Sequence, residues 1–120
     1  MLEHQTELKE NIGRDFDTYK RLLPDVARAY EELPAEVYKD GVLPGKIKRL
    51  MALNAALVKG CRACILYQTD LALKAGATVE EILEASAVAI SLGGTMAAGE
   101  VTRVVRFLKE QGLLPESGKG

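Results

Sequence analysis

The two cysteines of the chain, Cys61 and Cys64, are the residues whose type and spacing best suit chemistry. They follow Gly60, which favours the end of one helix, and they open a helix-like run, so both thiols are expected in its first turn. Residues three apart on a helix have Cβ atoms about 5–6 Å apart, whereas a disulfide needs about 3.5–4.5 Å. A small backbone adjustment at a helix start would let this pair close into an easily reduced disulfide.

The charges around the pair favour the same chemistry. Unpaired N–H groups and the helix dipole attract an anion to the first turn of a helix. Lys59 and Arg62 flank the cysteines and add positive charge. Both effects favour the thiolate, which is the nucleophilic form of cysteine.

Two other interpretations of the pair remain open at this point. Free cysteines are often buried, so Cys61 and Cys64 could be two core residues. A structural zinc site needs about four ligands. The chain offers two thiols and one histidine, His4, which is distant in sequence, so a metal would have to be shared between subunits. We therefore predict a redox pair, with no metal and no cofactor.

Composition limits the classes of protein to which the chain could belong. Its 120 residues are 48% apolar and 28% charged, which suits one globular domain. The 16 basic and 17 acidic residues are well mixed and Trp is absent, so neither nucleic acid nor a membrane is an expected partner. The polar, acidic start MLEHQTELKENIGRD resembles neither a signal nor a transit peptide. A cytoplasmic location is therefore expected, where structural disulfides are rare.

Periodicity predicts an all-α fold, a compact bundle of about six helices, to position the cysteines. Pro24 is expected to open the second helix, and Pro34 to break it. Thr78 with Glu81 reads as a capping box. The predicted helices cover 3–23, 24–33 with a short turn over 35–39, 46–59, 61–75, a segment after residue 78, and 95–111, with a break at Gly93-Gly94.

The stretch ASAVAISLGGTMAA, residues 85–98, is apolar nearly all round. A helix without a polar face must be buried on every side. We therefore expect it either to thread the centre of the fold or to be covered by a second subunit.

Several short motifs together resemble the carboxymuconolactone decarboxylase family, and within it the alkylhydroperoxidase D branch. They are KIKRLM at 46–51, GCRAC at 60–64, AGAT at 75–78 and EEI at 80–82. The likeness is clearest over 44–94 and extends over 24–108. It implies an all-α fold assembled as a trimer or a hexamer. The chain would then be one domain, 1–120, with an N-terminal helix at 1–23, a family core at 24–111 and a flexible tail at 115–120.

The resemblance also implies roles for both cysteines. In that branch the second cysteine is attacked by a hydroperoxide and the first resolves the product. Carried over, Cys64 would be peroxidatic and Cys61 resolving, with a sulfenic acid on Cys64 condensing to a disulfide. An external dithiol would be the reductant.

The chain departs from the family pattern at two positions that matter for proton transfer. Gln68 stands where the family usually has a histidine, and an amide cannot take up a proton. Arg49 stands where it usually has a glutamate, and arginine stays protonated. Arg49 is expected either to stabilise a thiolate by charge or to be a solvated helix residue.

Two further residues are candidates for support of the site. Tyr67 could donate a hydrogen bond, and Glu100 could replace the missing base. We therefore expect a weak thiol peroxidase or disulfide oxidoreductase. The alternatives are a non-redox member, either decarboxylase-like or a small-molecule-binding oligomer, and a redox-sensing scaffold.

Overall fold

The structure, a computed structural model, describes residues 3–116. The predicted flexible tail at 115–120 lies mostly outside the described residues. Within them the chain is all-α, which confirms the predicted fold class. Five helices are present where about six were predicted: α1 (Gln5–Leu22), α2 (Pro24–Val37), α3 (Gly45–Lys59), α4 (Arg62–Lys74) and α5 (Val79–Glu110).

The difference in helix number arises at the predicted break in α5. Gly94 has φ 67° and ψ −149°, which is not helical, yet helical residues continue on both sides of it. A positive φ of this size is accessible chiefly to glycine. The two segments that the sequence predicts are therefore two halves of one bent helix.

Local sequence signals fix most of the other helix ends. Gly60 ends α3 in the left-handed region with φ 75°, as a C-cap glycine does. The capping box at the start of α5 is complete. The Glu81 N–H donates to Thr78 Oγ1 at 3.0 Å, and the Thr78 N–H donates to Glu81 Oε1 at 2.9 Å.

The predicted break at Pro34 is wrong. Pro34 lies inside α2, which continues to Val37. A proline removes one intrahelical hydrogen bond, and here the loss falls in the last turn, just before the Tyr38 N–H closes the helix on the Pro34 carbonyl. The separate turn predicted over 35–39 is therefore the end of α2.

Helices α3, α4 and α5 pack against one another and form the core, and α1 lies beside α4 and α5. Helix α2 packs beside α1, and its last residue, Val37, accepts a hydrogen bond from Lys48 of α3. No residue of α2 is buried. The buried core cluster consists of Leu53, Ala56, Leu57, Ile65, Ala72, Ala77, Ile82, Ala89, Val104 and Leu108. The cysteines therefore stand at the start of a core helix.

The apolar stretch at 85–98 does not thread the centre of the fold. Ser86, Ala89 and Ala97 are buried, but Leu92 is 84% exposed. By length and composition alone α5 could cross a membrane. Its inward side chains instead pack in the core of this domain and it bends at Gly94. Its outward apolar side chains lie at the surface of the single chain.

Candidate functional site

The cysteine pair stands at the junction of α3 and α4. Cys61 is the N-cap of α4, with extended backbone angles, and its Sγ accepts a hydrogen bond from the Cys64 N–H at 3.3 Å. The two residues form a disulfide, with Cα atoms 5.3 Å apart. The predicted placement of the C-x-x-C pair at a helix N-terminus is confirmed.

Exposure separates the two sulfurs from ordinary core cysteines. Cys64 is exposed and Cys61 partly buried, whereas the next two residues on α4, Ile65 and Leu66, are fully buried. In the single chain the pair is therefore open to a reactant from solvent, which removes the interpretation as two buried hydrophobic residues.

Positive charge surrounds the start of α4. Lys59 and Arg62 are both exposed on either side of Cys61. The Arg62 guanidinium is 4.0 Å from a carboxylate oxygen of Glu3, and both side chains are more than half exposed. Water screens such a pair, so Arg62 still contributes to the positive potential that the helix N-terminus creates.

Arg49 and Gln68, which replace the family's expected acid–base residues, are in direct contact. Arg49 on α3 donates from Nη1 to Gln68 Oε1 on α4 at 3.1 Å. Gln68 lies one helical turn after Cys64 and therefore on the same face. Arg49 therefore contacts the residue one turn beyond Cys64 and is partly buried, while its predicted role at the cysteines stays a prediction.

Tyr38, just after α2, holds Arg49 from the other side. The guanidinium carbon is 3.6 Å from the centre of the Tyr38 ring, which is a close cation–π arrangement. The sequence interpretation did not single out Tyr38. In the sequence, Tyr38 is marked only as an aromatic residue before a glycine-rich turn. No local pattern links it to Arg49, eleven positions later.

Within the described residues, Arg49 lacks the acidic partner that a neighbouring lysine on α3 has. Lys46 pairs with Glu81 at 3.0 Å. Lys48 donates to the backbone carbonyls of Val37 and Lys39. Within residues 3–116, no carboxylate lies at ion-pair distance from Arg49, which contacts Gln68 and Tyr38.

Tyr67 contacts α1 rather than the sulfurs. Its hydroxyl donates to the Lys9 carbonyl at 3.2 Å, and Lys9 Nζ lies 4.4 Å from the ring centre. Lys9 also pairs with Asp70 at 3.2 Å. Burial alone would raise the pKa of Asp70, but bonds from Lys74 and Lys9 hold it below the usual value. These contacts fasten α1 to α4.

Glu100 and His4 also have partners away from the cysteines. Glu100 accepts from Arg103 Nε at 3.3 Å on its own helix. His4 Nδ1 is 3.9 Å from Glu110. Among the described residues, the only hydrogen bond to either sulfur is the one from the Cys64 N–H. The same range holds no group of three His, Cys, Asp or Glu residues that could bind a metal.

Asn54 on α3 has a buried side-chain oxygen, Oδ1, that lacks a hydrogen-bond partner in the described chain. From its place on an apolar stripe, the sequence allows a ligand contact for Asn54 but favours a partner on the backbone or on a neighbouring subunit. Buried polar atoms in native proteins are nearly always bonded, and the backbone alternative is not realised here.

The comparisons with known proteins agree with this arrangement. Residues 24–107 match the model of the carboxymuconolactone decarboxylase family. An uncharacterised protein of Cupriavidus necator is 32% identical to the chain over 103 residues, which are 86% of this chain and 90% of the relative.

Two solved proteins share the fold. The crystal structure of a carboxymuconolactone decarboxylase family protein from Legionella pneumophila aligns with a TM-score of 0.83 at 25% identity, over 88% of this chain and 95% of that one. A Thermotoga maritima protein aligns with a TM-score of 0.76 at 30% identity, over 92% and 99% of the two chains. A second structure of that protein, for which a role in the antioxidative response has been suggested, gives 0.67 at 35%, over 77% and 95%. Since the family model covers more than half of the sequence and these relatives share its architecture, the chain belongs to the carboxymuconolactone decarboxylase family.

Proposed function

We propose that the protein is a thiol-dependent peroxidase, a disulfide oxidoreductase that reduces hydroperoxides with Cys64 and Cys61. The observation that carries the proposal is the cysteine pair itself. It stands at a helix N-terminus, it is joined as a disulfide, and Cys64 is exposed to solvent. A helix N-terminus favours the anionic sulfur that such chemistry needs.

The proposed cycle has three balanced steps. The Cys64 thiolate attacks the terminal oxygen of ROOH, the O–O bond breaks, and the products are a Cys64 sulfenic acid and RO⁻, which takes up a proton from water. The Cys61 thiol then condenses with the sulfenic acid, releasing water and forming the disulfide. An external dithiol reduces the disulfide to two thiols and is itself oxidised to a disulfide.

Matched serine variants test this assignment of roles. Reduced protein mixed with hydroperoxide at neutral pH is expected to lose both thiols, as counted with a chromogenic disulfide. Cys61→Ser is expected to accumulate a sulfenic acid on Cys64, which a dimedone adduct reveals by mass spectrometry. Cys64→Ser is expected to leave the remaining thiol of Cys61 unreacted on the same timescale.

The outcomes also separate the alternatives. Persistence of both thiols in excess peroxide would contradict the proposal and favour a non-redox member of the family. Oxidation without turnover by any dithiol, together with partner binding that depends on oxidation, would favour a redox-sensing scaffold. The predicted cytoplasmic location provides the reducing setting that turnover requires.

A further inference from the structure

We propose that Cys61, rather than the more exposed Cys64, takes the first negative charge of the reduced pair, and that this charge restrains the ionisation of Cys64 and so its reaction with hydroperoxide. The inference rests on the peroxidase function proposed above and specifies how that site is regulated. Cys61 then has a second role besides resolving the sulfenic acid, as an electrostatic restraint on its neighbour.

The backbone of Cys61 is fixed by bonds that do not depend on the disulfide. Its N–H donates to the Ala56 carbonyl of α3 at 3.1 Å, and its carbonyl accepts from the Ile65 N–H of α4 at 2.8 Å. Gly60 closes α3 immediately before it, with φ 75°. Because none of these bonds involves a sulfur, Cys61 stays at the N-cap of α4 when the disulfide is reduced.

Contacts within the first turn of α4 favour a negative charge on Cys61 over one on Cys64. Cys61 Sγ accepts the Cys64 N–H at 3.3 Å, as an N-cap acceptor does, and a hydrogen bond to the charged form of a group favours that form. In the part of the chain that the structure describes, no donor reaches Cys64 Sγ. Cys61 is less exposed than Cys64, which opposes its ionisation. A partly exposed sulfur keeps part of its hydration, however, so the charge-assisted hydrogen bond outweighs this cost.

Charged side chains around the junction of α3 and α4 do not decide between the two sulfurs. Within residues 3–116 none of them forms a hydrogen bond to a sulfur. Because the sulfurs are bonded to each other, a charge that touches neither acts on both to a similar extent. The difference therefore comes from the N–H donor of the first turn. The charged groups are Lys59 and Arg49 of α3, Arg62 of α4, Glu3 before α1, and Arg103 and Glu100 of α5, which connect to Arg62 through Glu3.

One negative charge on the pair opposes a second. The Cα atoms of Cys61 and Cys64 are 5.3 Å apart and their sulfurs meet. Like charges this close disfavour each other, so the two thiols titrate in two separate steps. When the first step belongs to Cys61, most Cys64 side chains are protonated at neutral pH, and only the thiolate attacks a hydroperoxide. The Cys61 thiolate is no substitute, because its sulfur is less exposed and a more acidic thiol gives a less nucleophilic thiolate.

Two N-caps, one charged and one neutral, test the restraint. Cys61→Asp and Cys61→Asn differ by one charge, both side chains are favoured N-caps, and each variant keeps Cys64 as its single thiol. The initial rate of thiol loss with tert-butyl hydroperoxide is measured at pH 7 for both variants and for reduced wild type. Cys61→Asn is expected to react about tenfold faster than Cys61→Asp and wild type, because a like charge moves the ionisation of Cys64 upwards by about one pH unit.

Ionisation curves test the order of the two steps directly. The rate of alkylation by iodoacetamide is followed against pH, since only the thiolate reacts. Cys64→Ser, which keeps the Cys61 thiol, is expected to show a midpoint about one pH unit below that of Cys61→Asn. Wild type should titrate in two steps, the lower of which coincides with Cys64→Ser. Arg28→Gln, which lowers the net charge by one on exposed α2, is the control and should change neither the midpoints nor the peroxide rate.

The results separate this inference from the proposed function. If Cys64 ionises at the same pH as Cys61 or at a lower one, or if Cys61→Asn reacts no faster than Cys61→Asp, the inference is overturned while the peroxidase function stands. If every variant and wild type keep their thiols in excess peroxide, the peroxidase function is wrong, and the alkylation curves still decide which thiol ionises first. Should circular dichroism show that a cap variant does not fold, Cys61→Ser, another favoured N-cap, takes the place of Cys61→Asn in the comparison with Cys64→Ser and wild type.

Discussion

At the scale of single residues, side-chain acceptor atoms in this protein are held by backbone N–H donors at helix starts. Cys61 Sγ accepts from the Cys64 N–H at the start of α4. Glu110, at the end of α5, accepts from the N–H groups of Gln5 and Thr6 at 2.9 and 2.7 Å, at the start of α1. The Glu110 carboxylate is thus a cap for α1 that comes from another helix.

This cap should make stability depend on pH. Burial alone would raise the pKa of Glu110, but bonds from Thr6 and Gln5 hold it below the usual value of 4.5. A lowered folded-state pKa means that the stabilisation is present above the unfolded value and disappears as pH falls through the folded one. Glu110→Gln is expected to lower the free energy of unfolding by about 1.5 kcal/mol at pH 7. The difference from wild type should shrink as pH falls below the unfolded-state pKa and through the lowered folded-state pKa of Glu110.

Urea denaturation at pH 7 and at a series of acidic pH values measures this difference. Glu32→Gln, on exposed α2, is the control and should follow wild type throughout. If the free energies of unfolding of Glu110→Gln and wild type differ by the same amount at every pH, the ionised carboxylate does not cause the pH-dependent stabilisation.

At the scale of elements, the docking of α1 on α4 depends on one close approach. A Cβ built on Gly13 would collide with the Tyr67 hydroxyl, which itself donates to the Lys9 carbonyl. Gly13 is therefore required by packing, because the backbone of α1 must lie directly against the Tyr67 ring. Gly99, inside α5, has no atom within 4 Å of the same position.

The two glycines should respond in opposite ways to alanine. Replacing a helix-interior glycine by alanine normally stabilises by about 0.5–1 kcal/mol, and Gly99→Ala should do so. Gly13→Ala should instead destabilise by about 1–3 kcal/mol, since it overfills the α1–α4 contact. Adding Tyr67→Phe should recover part of that loss. Thermal and urea unfolding measure all three, and equal stabilisation by both alanines would contradict the packing argument.

Helix boundaries were predictable because their signals are local. Gly60, Thr78 and Glu81 each act on backbone within four residues, and the structure realises all three. Pro34 was misinterpreted because its effect depends on how close the helix end is. A proline in the last turn of a helix removes only one intrahelical hydrogen bond, and no local sequence signal marks the C-terminal end of α2.

The site was predictable only in part, for a related reason. The position of Cys61 and Cys64 in the first turn of α4 follows from the helix-ending Gly60 and from the three-residue spacing of the cysteines. The contact of Arg49 with Gln68 depends on how α3 and α4 pack, across nineteen residues of chain. From helix periodicity alone a solvated Arg49 was equally consistent, and the side on which Tyr67 docks was not visible.

At the scale of the whole molecule, much apolar surface of the single chain is uncovered. Leu92 is 84% exposed, with Val88 and Met96 about half exposed on the same helix. Asn54 Oδ1 is buried without a partner in the described chain. Contiguous exposed apolar surface marks interaction sites. We therefore propose that a homo-oligomer, a trimer or a hexamer as the family resemblance implies, covers this side of α5.

Native mass tests the assembly. Light scattering after gel filtration should give a multiple of the 13.0 kDa chain. Leu92→Lys should shift the mass towards that of one chain, because burying an unpaired ammonium in an interface is costly. Val42→Lys, in a fully exposed turn, should leave the mass unchanged. A wild-type mass of one chain would contradict the proposal.

The packing of α2 has a consequence for how this chain can be shortened. The family match begins at residue 24, the first residue of α2, whereas α1, against which α2 packs, precedes the match. A fragment cut at the homology boundary would keep α2 and discard its support. Domain limits taken from the family match alone would therefore trim away α1, the helix on which α2 packs.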